Sequence, residues 1–500
     1  MKNNFSRRSF LATTATAAAG ISILPSNVIA GLGHKAPSDK LNIAGVGIGG
    51  MGHGNIKNLS SENIIGLCDV DWKYADGCFK EFPGAKKYKD WRVMYDELGK
   101  SIDGVLIATA DHTHAIVASH AIEMGKSVYC QKPLTHSVYE SRLLTKLAAK
   151  YNVATQMGNQ GSSQEGVNLT CEWLANGEIG EVTKVEAFTD RPIWPQGLNT
   201  PKQGQWVPET LDWDLFTGPA KMRPYNELYH PWNWRGWWAY GTGALGDMAC
   251  HILHPVFVGL ELGYPTKAQG NSTLLLQDCA PTAQSVKLTF PARVPKRAWK
   301  GSKKGAQLPQ VEVSWFDGGI KPMLPNGWPA GKNPNDAGGG VFFHGTKGTL
   351  VCGCYGVNPW ILRPDGTVVK PEAPKFRRRV EASHEMDWVR AAKEAPESRV
   401  QTASNFSEAG PFNEMVVMGV LAVRLQTLNK ELEWDGPNMK FTNITDDEKI
   451  KIVIEDAFSI HDGHPTFNKT YTDPVPATEF AAELIKHTYR KPWSLPDMPA

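Results

Sequence analysis

Short apolar segments alternate with amphipathic segments through the first third of the chain. Each apolar run has the length of a strand and few polar interruptions, which is typical of strands buried on both faces of a parallel sheet. The predicted strands cover residues 41–44, 63–68, 85–88, 104–109, 127–130 and 153–157. Residues 138–150 repeat apolar positions at helical spacing, and residues 114–124 form a second helical pattern that ends at Gly125. This alternation predicts a doubly wound α/β domain with a parallel sheet.

Three glycines follow the first predicted strand in the spacing G-x-G-x-x-G, at Gly45, Gly47 and Gly50. The first permits a sharp turn, the second lets the backbone approach a pyrophosphate, and the third lets helix and strand pack closely. Asp69 ends the next strand, where a carboxylate can bind both ribose hydroxyls of NAD and would repel the extra phosphate of NADP. Strand, glycines, helix, strand and acid in this order predict a Rossmann domain over residues 41–158 that binds NAD rather than NADP.

The first thirty residues have a different character. Arg7 and Arg8 form a twin-arginine pattern, an apolar Ala/Thr-rich run follows, and residues 28–30 have the small side chains of a cleavage site. Residues 1–30 are therefore predicted to be a twin-arginine signal peptide, and the mature protein is expected in the periplasm. No later stretch is long and apolar enough to anchor it in a membrane.

The length of the chain limits the number of domains, and its charge gives no indication of nucleic-acid binding. The 500 residues allow two or three domains, and the formal net charge of +2 comes without a basic segment that would indicate nucleic-acid binding. The expected partner is a small molecule.

Two further motifs resemble the signature of the Gfo/Idh/MocA oxidoreductases, which include glucose–fructose oxidoreductase and inositol dehydrogenase. One motif is the segment D-H-T-H at 111–114, and the other is G-K-S-V-Y-C-Q-K-P at 125–133. Family members usually read E-K-P at the end of the second motif, where this chain has Gln131, Lys132 and Pro133. The resemblance implies that Lys132 lies beside the nicotinamide and the substrate hydroxyl. Gln131 removes a carboxylate that would favour the ammonium form of this lysine.

The glycine motif and the resemblance together define the cofactor-binding prediction. The predicted residues are Gly45, Gly47, Gly49, Gly50, Met51, Asp69, Thr109, His114, Gln131 and Lys132.

The resemblance also implies an α+β second domain with an open, mostly antiparallel sheet that covers the nicotinamide. This substrate and dimerisation domain is predicted over residues 159–435, and residues 436–500 are predicted as a tail with little periodicity. Helices are predicted at 383–394 and 412–425, with a turn at 406–411 before the second. The chain is expected to form a homo-oligomer through the second sheet.

A glycine-rich loop precedes Asp247 and His251, which are four residues apart and therefore project from one helical face. The pair resembles the D-x-x-x-H motif of the family and implies a catalytic set of Lys132, Asp247 and His251. His251 can exchange a proton near neutral pH, and Asp247 can orient the substrate or tune the lysine. A divalent metal held by Asp247, His251, His254 and His230 is a competing interpretation. Because the dinucleotide site already accounts for the chemistry, no metal is predicted.

Residues 191–238 hold seven of the 17 tryptophans of the chain. Most are expected to pack a long loop against the sheet, but one or two can stack on the C–H faces of a sugar ring. The predicted substrate-binding residues are Arg191, Trp194, His230, Trp234 and Arg235.

These predictions combine into one leading hypothesis. The protein is an NAD(P)-dependent oxidoreductase that acts on a secondary alcohol of a sugar or sugar derivative and holds its cofactor tightly. One alternative is an NAD-dependent glycosidase that works by transient oxidation and elimination. A second alternative, from a different class, is a non-catalytic sugar-binding protein that contains NAD.

Overall fold

Six parallel strands with interposed helices form the first part of the structure, as the apolar runs predict. The computed structural model describes residues 39–296, 299 and 306–499. The first strands are β1 (Asn42–Val46), β2 (Asn63–Cys68), β3 (Lys86–Tyr88), β4 (Gly104–Ile107), β5 (Ser127–Cys130) and β6 (Thr155–Met157). The first helices are α1 (Gly50–Asn58), α2 (Asp76–Glu81), α3 (Trp91–Leu98), α4 (Asp111–Glu123) and α5 (Val138–Tyr151). The predicted signal segment at 1–30 lies outside the described residues.

The strand order of this sheet is β3-β2-β1-β4-β5-β6. The order reverses between β1 and β4, and ligands of open α/β sheets bind in the crevice at such a reversal, beyond the carboxyl ends of the strands. The glycine motif follows β1 and therefore lies at this crevice.

A ten-stranded mixed sheet forms the second part. Its strands are β7 (Val182–Thr189), β8 (Lys267–Ser272), β9 (Gln284–Phe290), β10 (Val311–Phe316), β11 (Gly339–Gly345), β12 (Gly348–Gly353), β13 (Trp360–Leu362), β14 (Val368–Val369), β15 (Leu432–Asp435) and β16 (Lys440–Phe441). The order is β14-β13-β12-β11-β7-β10-β9-β8-β15-β16. Within this sheet, as far as its strands are described, β7 and β10 pair in parallel and the other neighbours are antiparallel. The expected mostly antiparallel sheet is confirmed.

Six α-helices lie between residues 159 and 435 in the described part of the chain. They are α6 (Glu165–Ala175), α7 (Trp213–Thr217), α8 (Gly243–Ile252), α9 (His254–Gly259), α10 (His384–Lys393) and α11 (Phe406–Arg424). Helix α11 packs against α5 and against β8 and β9, and it buries Phe406, Phe412 and Met415 completely. The predicted turn at 406–411 is wrong, since the helix already begins at Phe406 with Asn405 as its cap. Burial of both phenylalanines and the cap outweigh the backbone hydrogen bond that Pro411 cannot donate.

Residues 436–500, predicted as a tail with little periodicity, begin with the outermost strand of the sheet. Beyond it lie β17 (Lys449–Ile450), β18 (Val453–His461), β19 (His464–Tyr471), β20 (Val475–Pro476) and α12 (Ala477–Ile485). Strands β18 and β19 form a hairpin whose side chains are mostly exposed on both faces, so the sequence shows no apolar alternation. No helix in the described part of the chain is long and apolar enough to cross a membrane.

Residues 190–242, called here the aromatic insertion, run back across the N-terminal domain. The backbone N–H of Asp212 donates to the carbonyl of Val70 over 2.9 Å, and Nε2 of His112 bonds the carbonyl of Phe216 over 3.0 Å. A second apolar cluster fills the space between these segments. Its largest members are Trp213, Phe216, Tyr225, Tyr229, Trp234, Trp237 and Tyr240. The insertion therefore forms one side of the crevice at the reversal point.

Candidate active site

One end of the crevice is the glycine loop between β1 and α1. Gly47 has a φ of +75°, and a Cβ there would lie 2.6 Å from the backbone of Ala108 and Thr109. A Cβ at Gly52, in the first turn of α1, would lie 1.9 Å from the carbonyl oxygen of Gly47. Side chains at these positions would force the loop and the helix apart. The loop therefore presents its backbone to the crevice at close range, which is what a pyrophosphate at a helix N-terminus requires.

Asp69 lies beside this loop at the end of β2. Its Oδ2 accepts hydrogen bonds from the backbone N–H groups of Ile48 at 2.8 Å and Gly49 at 3.1 Å, and its Oδ1 accepts one from Asp71 at 2.9 Å. Burial raises the pKa of Asp69 to about 6, although these donors oppose the shift. The carboxylate is held in one orientation at the place where a cofactor ribose would lie.

A cavity of about 440 Å³ runs from the glycine loop to the second domain. It is lined at one end by Gly47, Gly49, Gly50, Met51 and Asp69, in the middle by Thr109, Gln131 and Lys132, and at the other end by Arg191, Trp194, His230, Trp234, Arg235, Asp247 and His251. The close glycine cradle and the fixed carboxylate fit NAD. Most of the predicted cofactor and substrate residues therefore line one cavity.

Lys132 and Asp247 meet where the two domains face each other. The Nζ of Lys132 forms an ion pair with Oδ1 of Asp247, and Nη1 of Arg235 lies 2.8 Å from the same oxygen. Arg235 is held over the rings of Trp194 and Trp234, with its guanidinium carbon 5.6 and 4.4 Å from the two ring centroids. One carboxylate therefore holds two cations, one from each domain.

The charges around Asp247 decide its ionisation. Burial would raise the pKa of this carboxyl, but Arg235 and Lys132 outweigh burial and hold the pKa well below its usual range. Asp111 is also buried and lies 3.8 Å from Arg235, and burial raises its pKa against the effect of that arginine. Asp247 is therefore an anion throughout the physiological range.

His251 lies one helical turn beyond Asp247 on α8, as the spacing predicts. Its side chain is 5% exposed and lines the cavity, its Nδ1 is buried without a hydrogen-bond partner, and its ring lies 4.4 Å from the ring of Tyr355. Burial, with the charge of Lys132, lowers the pKa of His251 well below its usual value. The imidazole is therefore neutral, and its ring has a nitrogen without a hydrogen-bond partner. The glycine-rich loop predicted before Asp247 is partly helical, because α8 already begins at Gly243.

Two predicted cofactor residues do not reach the cavity. Gly45 faces Ile48 and Ile56, so it serves the turn. His114 is buried, with Nδ1 2.8 Å from the carbonyl of Pro133 and Nε2 3.0 Å from that of Thr109. It therefore joins the two loops that carry Thr109 and Lys132.

Gln131 does line the cavity, but its amide oxygen accepts from the backbone N–H of Lys132 over 3.3 Å and not from the ammonium. It donates to Oδ1 of Asn55 over 2.8 Å, and Asn55 donates to Oε1 of Glu385. The carboxylate that supports Lys132 comes from Asp247 instead.

The histidines of the competing metal interpretation have separate partners. Nε2 of His230 lies 3.0 Å from Oδ2 of Asp71, and Nε2 of His254 lies 3.2 Å from Oε1 of Glu408. Within the described residues, no group of three His, Cys, Asp or Glu side chains is arranged to hold a metal ion.

The cavity also has lining residues that the sequence analysis did not predict, among them Tyr74, Asp111 and Tyr355. Tyr74 covers Gly49 and Gly50, and Tyr355 packs on His251 with an unusual φ of +62° for a residue other than glycine. Asp111 begins the D-H-T-H motif at 111–114, and a carboxylate next to a histidine is a pattern that could have indicated a site residue. No sequence signal indicated Tyr355, because the fold brings it from the end of β12.

The match to two models of one protein family agrees with this geometry. Residues 40–159 match the oxidoreductase family model with an NAD-binding Rossmann fold, and residues 178–292 match the model of the C-terminal alpha/beta domain of the same family. The N-terminal domain is thus an NAD-binding Rossmann domain.

Individual relatives match shorter stretches. Glucose-6-phosphate 3-dehydrogenase of Bacillus subtilis is 25% identical over 28% of this chain, and levoglucosan dehydrogenase of Pseudarthrobacter phenanthrenivorans is 27% identical over 37%. The chain spans 40% of the length of each. The WlbA dehydrogenase from Bordetella pertussis, solved with NADH and UDP-GlcNAcA, is 15% identical with a TM-score of 0.51, and the match covers 79% of this chain and 99% of that one, which shows the shared fold. Residues 40–159 and 178–292 are therefore similar to the two domains of the Gfo/Idh/MocA oxidoreductase family, and the cavity lies between them.

Proposed function

We propose that the protein oxidises a secondary alcohol of a sugar or sugar derivative and transfers the hydride to NAD. The observation that carries the proposal is the position of His251, whose ring lines the cavity and whose Nδ1 has no hydrogen-bond partner, beside the Lys132–Asp247–Arg235 cluster. A buried polar group without a protein partner is costly unless a ligand completes its bonding. A substrate hydroxyl would supply that partner.

The residues have distinct roles in this reaction. Oxidation of the alcohol to a ketone releases a hydride, which bound NAD would accept, and a proton, which the neutral His251 can take. The Lys132 ammonium can donate a hydrogen bond to the substrate oxygen while negative charge develops on it. Asp247 stays ionised because Arg235 remains beside it, so it can hold Lys132 in position throughout the reaction.

A sugar is the proposed substrate class for two reasons. The catalytic end of the cavity combines charged hydrogen-bonding groups with the indole rings of Trp194 and Trp234, which suits a ring with hydroxyls on its edge and C–H groups on its face. The relatives named above include dehydrogenases of glucose-6-phosphate and levoglucosan.

The test is a screen of purified protein with NAD against free sugars, inositols and glycosides, followed by absorbance of the reduced cofactor and by mass analysis of products. A ketone with stoichiometric cofactor reduction supports the dehydrogenase. Release of an aglycone without net reduction would favour the glycosidase alternative. Sugar binding with no hydride exchange for any compound would favour the non-catalytic alternative.

We further propose that the protein holds NAD tightly and is exported in its folded form to the periplasm. The twin-arginine pattern supports export, since this route moves folded proteins and NAD does not cross a membrane unaided. The aromatic insertion supports retention, because His230 pairs with Asp71 and Arg490 pairs with Asp214 of the insertion. If NAD stays bound, each NADH that forms must be reoxidised on the enzyme, and purified holoprotein should complete many turnovers without added NAD. A single burst of NADH formation that resumes only when fresh NAD is added would contradict tight retention. Fusion of residues 1–30 to a reporter tests the export step.

A homo-oligomer through the second sheet is also proposed. Met323 and Leu324 are exposed beside Phe316 of β10, on the face of the sheet turned away from the helices. Light scattering of the purified protein, with Met323→Glu as the disrupting variant, tests this association.

A further inference from the structure

Two exposed apolar side chains on the outer wall of the cavity have no role in the reaction described above. Ile193 is 67% exposed and Trp232 is 43% exposed, and both line the same cavity as Lys132 and His251. Both lie in the aromatic insertion, whose other large rings are mostly buried. Exposed apolar side chains at the mouth of a binding cavity indicate a surface that a ligand covers.

Direct contacts connect Trp232 to the catalytic end of the cavity. Arg235, which holds Asp247, lies over the ring of Trp194. The ring of Trp194 in turn meets the ring of Trp232 edge to face, with centroids 5.7 Å apart and an interplanar angle of 89°. This wall is therefore charged where it meets Asp247 and apolar at its outer end. A sugar ring on the charged groups would leave Trp232 for a substituent attached to that ring.

The cations that line this wall are mostly paired already, so they do not form an open site for a charged substituent. Arg191 pairs with Asp190, and Arg235 and Lys132 both pair with Asp247. Lys89, the remaining cation among the described residues that line the cavity, lies over the ring of Trp72 in the N-terminal domain. A phosphate or carboxylate at Arg191, Arg235 or Lys132 would have to compete with the carboxylate already paired there, whereas an apolar group would cover Trp232 and Ile193 without that competition.

We propose that the substrate is a glycoside with an uncharged, apolar substituent, aryl or alkyl, which binds against Trp232 and Ile193. The inference rests on the proposed oxidation of a sugar at Lys132 and His251, and it adds the class of group that the sugar carries. A site for such a glycoside differs from a site that binds a sugar phosphate, which needs unpaired cations for the phosphate.

The experiment compares phenyl and methyl glycosides of glucose, galactose, mannose and N-acetylglucosamine. Their binding to NAD-loaded protein is measured by calorimetry, and sugar 6-phosphates are included as charged competitors. For at least one sugar the phenyl glycoside should bind about tenfold more tightly than the methyl glycoside, the scale expected when one apolar ring is buried. Trp232→Ala should reduce this preference to near unity, Trp232→Phe should keep part of it, and Ile193→Ala should reduce it less.

Trp206→Ala is the matched control, since Trp206 belongs to the same insertion, is 97% exposed and does not line the cavity. It should leave both affinities unchanged. Absence of a phenyl preference for every sugar, a preference that survives Trp232→Ala combined with Ile193→Ala, or tighter binding of the 6-phosphate would overturn the proposal. A phenyl preference without cofactor reduction would instead contradict the proposed function and leave the apolar subsite supported.

Discussion

The two ends of the cavity are built in different ways. At the cofactor end, backbone groups and one carboxylate from two neighbouring stretches of sequence form the surface, and Gly47, Gly52 and Asp69 define it. At the catalytic end, side chains from both domains meet, and charge balance around Asp247 defines the surface. The first end depends on close backbone approach, and the second depends on ion pairs in a buried place.

This difference predicts different consequences of substitution. Changes at the cofactor end should act on cofactor affinity through steric fit, because the groups that face the ligand there are mostly backbone. Changes at the catalytic end should act on turnover, because the side chains there move a proton and stabilise charge in the proposed reaction. Four predictions test the contrast, beginning with the largest expected effect.

Loss of the proton acceptor or of the lysine should reduce turnover most. His251→Ala and Lys132→Met should each lower kcat by about a hundredfold or more, the range of general acid–base and charge-stabilising groups. Bound NAD, measured by its release on denaturation, should be unchanged in both variants. A variant with near wild-type turnover on a verified substrate would remove that residue from the catalytic set.

A methyl group in the glycine cradle should act on the cofactor instead. Gly52→Ala would bring a Cβ to 1.9 Å from the Gly47 carbonyl, and overpacking of this kind costs about 1–3 kcal/mol, so NAD affinity should fall about tenfold to a hundredfold. Gly54→Ala, in the same helix with nothing within 4 Å of its Cβ, is the control. It should leave NAD affinity unchanged and raise thermal stability slightly. Equal NAD affinities of the two variants, measured by titration of apoprotein, would contradict the cradle.

The carboxylate at the cofactor end should decide between NAD and NADP. Asp69→Asn removes charge repulsion and a charged hydrogen-bond acceptor, an interaction worth about 1.5–3 kcal/mol, so the preference for NAD should fall about tenfold or more. The ratio of the two affinities is the measurement, because Asp69 also holds the glycine loop and both affinities will change. Asp76→Asn, whose carboxylate pairs with exposed Lys80, is the control. Equal affinities of the wild-type protein for NAD and NADP would refute the role of Asp69 in cofactor choice.

The smallest expected effect is on the pH dependence of stability, through His112, which bonds the carbonyl of Phe216 across the crevice. Burial lowers the pKa of His112 to about 3, so between that value and about 6.5 the unfolded chain binds a proton that the folded protein does not. His112 therefore contributes stability above pH 6.5 that is lost as the pH falls toward 3, with a slope of up to about 1.4 kcal/mol per pH unit. Urea unfolding at pH 7.5 and about pH 5 measures this, and His112→Gln should reduce the difference. His461→Gln, at the exposed hairpin tip, should not.

The N-terminal domain was predictable from sequence because its signals are local. A buried parallel strand shows as a continuous apolar run, and Gly47 and Asp69 lie within a few residues of the strands that position them. The spacing of Asp247 and His251 likewise placed both on one helical face, since four residues make one turn in any α-helix.

Contacts between distant segments were decided by the tertiary structure. Arg235, expected to touch substrate, lines the cavity and also pairs with Asp247, whereas His114, expected at the cofactor, bonds two backbone carbonyls. Tyr355 reaches His251 from more than a hundred residues away, through the order of strands in the second sheet. Sequence determines what a side chain can donate, accept or bury, and local spacing determines the helical face it occupies. Which partner it meets depends on how the two domains pack, because ion pairs and ring contacts form between whichever groups the shared core brings within a few ångströms.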